Sequence, residues 1–224
     1  ANFQVQAIRT EQEGDDVYFQ LTCSAGSVLV NSGTLSSPTR VFLTSSVYKN
    51  VYDNSKWNLA VRVKPAKVAA PTVSGSETTN YMVEFVGYNA LGENIENDFH
   101  VTASIPLASG SAFSTSQKRI YVGAEHTNFT GTAVVQSSDV KISSVRYWMC
   151  DLTNDAIQAH SKDASSYGPV EPHESAFLTG PSPAYFDAIE VPKIKTLALR
   201  WNFDNVTGSG PSSGATVSDA TFFV

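Results

Sequence analysis

The segment "DVYFQLTCS", Asp16 to Ser24, alternates apolar and polar residues without a break, and this pattern constrains the fold more than any other feature of the chain. Side chains of an extended strand leave on opposite faces with a period of two. Val17, Phe19, Leu21 and Cys23 therefore share one face, and Tyr18, Gln20, Thr22 and Ser24 the other. The same alternation recurs in "WNLAVRVK", with Trp57, Leu59, Val61 and Val63 on the inward side. In "TLALRWNF" the inward set is Leu197, Leu199, Trp201 and Phe203. A sheet with one dry face and one polar face satisfies all three.

Less regular runs add strands at Phe3 to Ile8, Val41 to Val47, Tyr81 to Tyr88, His100 to Leu107, Arg119 to Gly123, Thr132 to Gln136 and Ile142 to Met149. "YMVEFVGY" is apolar on both faces apart from Glu84, which predicts a strand in the middle of a sheet, covered on both sides. Segments such as "VNSG", "PTVSGSE" and "LASGSA" read as turns between strands. The good helical candidate is Asp151 to Ala164, where Thr153 or Asn154 can cap and Ala156 and Ile157 supply a narrow apolar stripe. Ser165 to Asp187 follows with four prolines and reads as a long excursion, either a contact surface or a connector across one end of a sandwich. The predicted fold is all-β: a single domain over 1–224, an antiparallel β-sandwich of jelly-roll type with one short helix and long loops.

Charge narrows the function classes. Lys and Arg number 15 against 21 Asp and Glu, a formal net charge of −6. From Ala1 to Val30 the one basic residue is Arg9, so this stretch holds no nucleic-acid arm. No apolar run approaches the roughly 20 residues of a membrane-spanning helix. Charged residues make up 16% of the chain, below the roughly 25% of ordinary soluble domains. Ser, Thr, Asn and Gln supply the polar surface instead, which suits faces covered by copies of the same chain or by sugars. Cys23 and Cys150 both sit in strand-like runs and read as small buried hydrophobes, with a disulfide between them the alternative.

Gly210 to Gly214, "GPSSG", matches the G-x-S-x-G pattern of hydrolase nucleophiles. The twelve residues after Ser212 contain Asp219 but no histidine, and they are strand-like where a helix is required. The stretch reads as a hairpin loop. His100, His126, His160 and His173 show no chelating spacing, and "EPHE", Glu171 to Glu174, reads as a solvated loop, so neither a metal nor another cofactor is expected. The acids cluster in turn-like segments such as "EQEGDD" and "GENIEND" and offer no placed pair for glycoside chemistry. Lys56, Arg62, Lys64 and Lys67 form a modest basic patch, read either as an anion contact or as charge that blunts a strand edge.

"SSVYKNVYDNSKW" interleaves Tyr48, Tyr52 and Trp57 with Asp53 and Asn54. An aromatic face beside amide and carboxylate groups can cover a pyranose ring and bond its hydroxyls, which makes these five the candidate glycan or receptor contacts. The competing reading is core aromatics flanking an ordinary loop. Asn128 and Asn205 head N-x-S/T sequons and become glycosylation sites if the chain is secreted.

The strands "DVYFQLTCS", "WNLAVRVKPA" and "TLALRWNFDNV", the long Ser/Thr/Gly/Pro loops, the low charge and a start at Ala1 that suggests cleavage from a longer chain together resemble the β-rich coat and projecting spike domains of small non-enveloped viruses. The resemblance implies a non-enzymatic structural subunit of the virion. It would associate with copies of itself or sister coat subunits, with exposed loops that engage a host glycan or protein receptor. An extracellular lectin-like or adhesin module is the alternative, and a glycoside-acting enzyme the third reading.

Overall fold

The computed structural model describes residues 3–24, 39–65, 80–115, 120, 122–125, 136–137, 141–168, 197–203, 206–207, 216–217 and 221–222. They are mostly antiparallel β-strands. The chain divides into two compact units, 1–121 with 125–134, and 122–124 with 135–224.

In the first unit, β1 (Phe3–Arg9), β2 (Val17–Ser24) and β3 (Thr39–Tyr48) form one antiparallel sheet. A second contains β4 (Trp57–Pro65), β5 (Tyr81–Leu91) and β6 (Asn94–Ile105). The alternation read from the sequence sets which faces meet. Val17, Phe19 and Leu21 of β2 pack with Val83 and Phe85 of β5 and with Phe99 and Ile105 of β6 in one core, flanked by Trp57, Leu59, Val61 and Val63. Each fully buried side chain of this size contributes about 1.5–3 kcal/mol, so this core dominates the unit's stability.

β5 is the central strand, with Val83 to Gly87 buried on both faces, as its two-sided apolar pattern predicts. Gly92 begins the two-residue turn to β6 at φ +61, a conformation that costs glycine little. Gly87 serves packing instead: a Cβ there would lie 2.2 Å from the Phe99 ring. Between Tyr18 and Gln20 the β2–β3 register slips, and Ser45 Oγ accepts the Phe19 N–H at 2.9 Å in place of a ladder carbonyl. Neighbouring strands of both sheets are consecutive in the chain, so among the described residues these are meanders without the interleaved order of a jelly roll.

Three local expectations change. The strand expected to end at Leu107 ends at Ile105, and the "LASGSA" turn is the start of a second helix, α1 (Leu107–Thr115). Its Ala, Ser and Gly residues make no apolar stripe. Packing decides it: Phe113 enters the core, and Gly110 lets the helix approach Tyr81 so closely that a Cβ would fall 2.1 Å from the ring. Arg62, assigned to the exposed polar face of β4, is only 8% exposed. Its cross-strand partner is Glu84, which is buried with it on the face of the sheet away from Val61 and Val63, and the opposite charge compensates the loss of water.

The two-residue strands β7 (Ala124–Glu125) and β8 (Gln136–Ser137) pair with each other. In the second unit, β9 (Val145–Trp148) and α2 (Asn154–Lys162) precede β10 (Leu197–Trp201). The strands β11 (Val206–Thr207) and β12 (Thr216–Val217) pair, and β13 (Thr221–Phe222) joins β10 and β9 in a sheet of order β13–β10–β9.

The helix read from the sequence is α2. Thr153 is its N-cap, with Oγ1 accepting from Ala156 N at 3.3 Å, and Ala156, Ile157 and Ser161 are buried. Asp155 in the first turn and Lys162 in the last complement the helix dipole. Gly168, at φ +73, closes the following turn so tightly on Ala156 that a Cβ would lie 2.8 Å from its Cα. Cys150 is half-buried just beyond β9, and the side chain of Cys23 lies outside the described ones.

Candidate functional site

The five candidate contact residues lie at one end of the first unit, where β3 ends at Tyr48 and the chain turns back into β4 at Trp57. Asn50 (φ +56) and Asn54 (φ +61) supply the two left-handed positions of the turn, a conformation asparagine tolerates better than most residues. The carbonyl of Asp15 accepts from Val51 N at 2.8 Å and from Tyr52 N at 3.3 Å. The Asp16 carboxylate accepts from Asn50 N at 3.2 Å and lies 3.2 Å from Lys49 Nζ. Lys49 is 82% exposed, so that ion pair orients the turn more than it stabilises it.

Beneath the turn is a ring cluster. Trp57 lies 4.7 Å from Tyr48 and 4.6 Å from Phe19 between centroids, and Phe99 closes the group at 5.7 Å from Phe19. Tyr48 donates its hydroxyl to the Asp98 carbonyl at 2.7 Å. Burial, and secondarily Asp98, pushes its phenol above the ordinary 10.0, so it remains a protonated donor at neutral pH. Trp57 Nε1 donates to Ser55 Oγ at 3.2 Å. Asn89 donates to the Lys56 carbonyl at 2.9 Å, fastening the end of the turn to β5.

The structure therefore brings Tyr48 and Trp57 together, but with their ring faces turned to Phe19, Phe99 and each other. Tyr52 stands apart with the Arg9 guanidinium 3.8 Å above its ring. Asp53 and Asn54 are exposed at the turn tip. The arrangement is a rigid aromatic base under a polar rim. It offers hydrogen-bond donors and acceptors to a ligand, whereas its large rings are engaged in packing. Sequence reasoning missed Arg9, Asp15 and Asp16 as parts of this turn. Arg9 stands alone as a basic residue in its segment, a signal of position rather than of a basic arm.

The basic patch resolves into an internal ion cluster. Arg62 Nη2 lies 2.6 Å from Glu84 Oε2, with Lys64 Nζ at 3.1 Å and His100 Nε2 at 3.8 Å from Glu84 Oε1. β4 is an edge strand of its described sheet, where charge of this kind opposes pairing with another chain. Lys56 is exposed at the start of the strand. Lys67, His126, His173, Ser212, the sequon residues Asn128 and Asn205, and the excursion beyond Gly168 lie outside the described residues. Among the described residues no three His, Cys, Asp or Glu side chains gather as metal ligands, and no helix is long and apolar enough to cross a membrane.

Comparison with family models, with curated proteins and with solved structures finds no match to this chain.

Proposed function

We propose that the chain works by association rather than catalysis, as a self-associating coat or spike subunit of a non-enveloped virus particle. Its partners in this reading are copies of itself or sister subunits, and the polar rim over Tyr48 and Trp57 is available to a host glycan or protein receptor. The observation that carries the reading is the outer face of the β1–β2–β3 sheet. Because Val17, Phe19 and Leu21 point into the core, Tyr18 and Gln20 point away from it, with Ile8, Gln6, Thr44 and Val47 beside them in register.

These six side chains are uncharged. Gln20 Nε2 donates to Gln6 Oε1 at 3.1 Å, and Gln6 Nε2 to Gln4 Oε1 at 3.3 Å, in a chain of amides across the strands. Val47 is 53% exposed. Copies of a chain with net charge −6 repel at long range, and an uncharged face lets them meet without burying an unpaired charge. Interface cores are depleted in charge for the same reason. β1 adds to the reading, since among the described strands it is an edge whose outer ladder is open to another chain.

Sedimentation or light scattering across protein concentration tests the proposal. Oligomers or particles are expected, and Gln6→Glu with Gln20→Glu should dissociate them while leaving the circular dichroism spectrum unchanged. A wild type that stays strictly monomeric at high concentration overturns the coat or spike reading. Saturable glycan binding by that monomer would establish the lectin-like alternative.

A further inference from the structure

We propose that Arg146 and Arg200 of the second unit form a receiving site for an oxyanion, a carboxylate or sulfate group, with Arg200 as the residue that touches it. The proposal stands independently of the coat reading.

The two arginines are register partners on β9 and β10, so their side chains leave the same face of the sheet side by side. Like charges directly opposed on neighbouring strands destabilise a sheet. A carboxylate between them would be the ordinary remedy, yet among the described residues neither arginine forms an ion pair. Both guanidinium groups instead rest on the ring of Tyr167, Arg146 at 4.7 Å from its centroid and Arg200 at 5.3 Å.

Their remaining bonds divide the roles. Arg146 donates its two terminal nitrogens to the carbonyls of Ser166 and Ala164 and ties the turn after α2 to β9. Its Nε is buried without a partner, so no protein group satisfies this guanidinium fully. Burial lowers its pKa from the ordinary arginine value; Tyr167 and Asp163 act in the opposite sense, and Arg200 disfavours the charge further. Arg200 donates Nε to Asn202 Oδ1 at 2.9 Å, and no hydrogen bond to another described residue engages its terminal nitrogens. It is half-buried.

A guanidinium stacked over a ring, with terminal N–H groups that no other described residue engages, presents the planar fork that oxyanions accept bidentately. The Tyr167 stack and the Asn202 bond fix its orientation beforehand, which reduces the ordering cost of binding. Arg146 behind it adds Coulomb attraction in a partly desolvated setting, where such attraction exceeds its value in water. Lys162 lies on the neighbouring helix and Asp163 is the acid that acts on Arg146, so among these described residues basic charge outnumbers acidic in a chain whose total is −6. Bound oxyanion would offset the repulsion between the two arginines.

The test titrates the full chain at constant ionic strength with sodium sulfate, with sodium acetate and with a sulfated oligosaccharide, observing the Tyr167 ring and Arg side-chain N–H signals by NMR. Chloride serves as the reference. Saturable shifts at those signals are expected. Arg200→Gln should weaken binding by about 10-fold or more, the scale of a lost charge-assisted hydrogen bond. Arg200→Lys, which keeps the charge without the fork, should bind with intermediate affinity. Tighter binding of the oligosaccharide than of inorganic sulfate would assign the anion to a saccharide, and equal binding would assign a free oxyanion. The proposal is overturned by non-saturable shifts in the wild type, or by equal affinities in wild type and Arg200→Gln. Should Arg200→Gln fail to fold, Arg200→Lys binding at wild-type strength overturns the fork.

Discussion

Glu84 in the first unit and Arg146 in the second are both ionisable groups withdrawn from water on the face of a sheet, and they are compensated in opposite ways. Glu84 is 4% exposed and meets Arg62 across the strand pair, with Lys64 and His100 close by. Arg146 faces another arginine across its strand pair and spends its donors on backbone carbonyls and a tyrosine ring. A buried charge with a partner of opposite sign is held by that partner, and removing either one is costly. A charge dispersed over dipoles and a ring holds a turn in place but leaves positive potential behind. In the first unit the buried carboxylate is thus met by cations of opposite sign, whereas the second unit sets two arginines side by side.

The contrast can be broken first through the aromatic core on the other face of the β5 strand that carries Glu84. Phe19 is 2% exposed and touches Tyr48, Trp57 and Phe99, so Phe19→Ala should destabilise by about 3–5 kcal/mol, read from denaturant unfolding. An unchanged midpoint would show that this face is not the core. Next in size, Glu84→Gln leaves Arg62 buried beside two further basic groups, and a loss of about 3 kcal/mol is expected. Amide exchange along β5 should accelerate with it. If the variant melts with the wild type, the carboxylate is not what holds the cluster.

In the second unit the expected effects are smaller. Thr153→Ala removes the cap of α2 and should cost about 1 kcal/mol, visible as faster exchange at the Ala156 amide. Last comes pH. His160 stacks on Trp148 at 5.9 Å with its rings 14° apart, and its Nε2 is buried without a partner. Burial lowers its pKa from the ordinary 6.5, with Arg146 adding to the effect and a backbone hydrogen bond at Tyr167 opposing it. The fold therefore prefers the neutral ring. Its contribution is complete above 6.5 and is lost as pH falls below 6.5 towards the lowered folded value. His160→Gln should flatten that part of the stability profile; an unaltered profile would exclude His160 as the titrating group.

Period-two alternation determined the facing of β2 and the covered position of β5, and the capping signal placed α2 within Asp151 to Ala164. Val17, Phe19 and Leu21 are in the core, β5 is central and covered on both sides, and α2 begins at the cap residue Thr153. These features are local: a strand's alternation and a helix's cap are complete within a few residues, so the sequence displays them directly. The candidate contact turn was legible in its residue types but not in its geometry. Nothing in the spacing of Tyr48, Tyr52 and Trp57 states that two of the rings join Phe19 and Phe99 while the third lies under Arg9.

Only the tertiary structure decided the rest. Strand order is one such feature, because alternation fixes which face is dry and leaves open which strands become neighbours. The helix α1 is another, since it depends on Phe113 reaching the core and on Gly110 fitting against Tyr81. So are the two charge clusters: Arg62 with Glu84, and Arg146 with Arg200, are residues 22 and 54 positions apart that strand register sets side by side. A single sequence lists the charges, but the desolvation and proximity that give them energy exist only once the strands have paired.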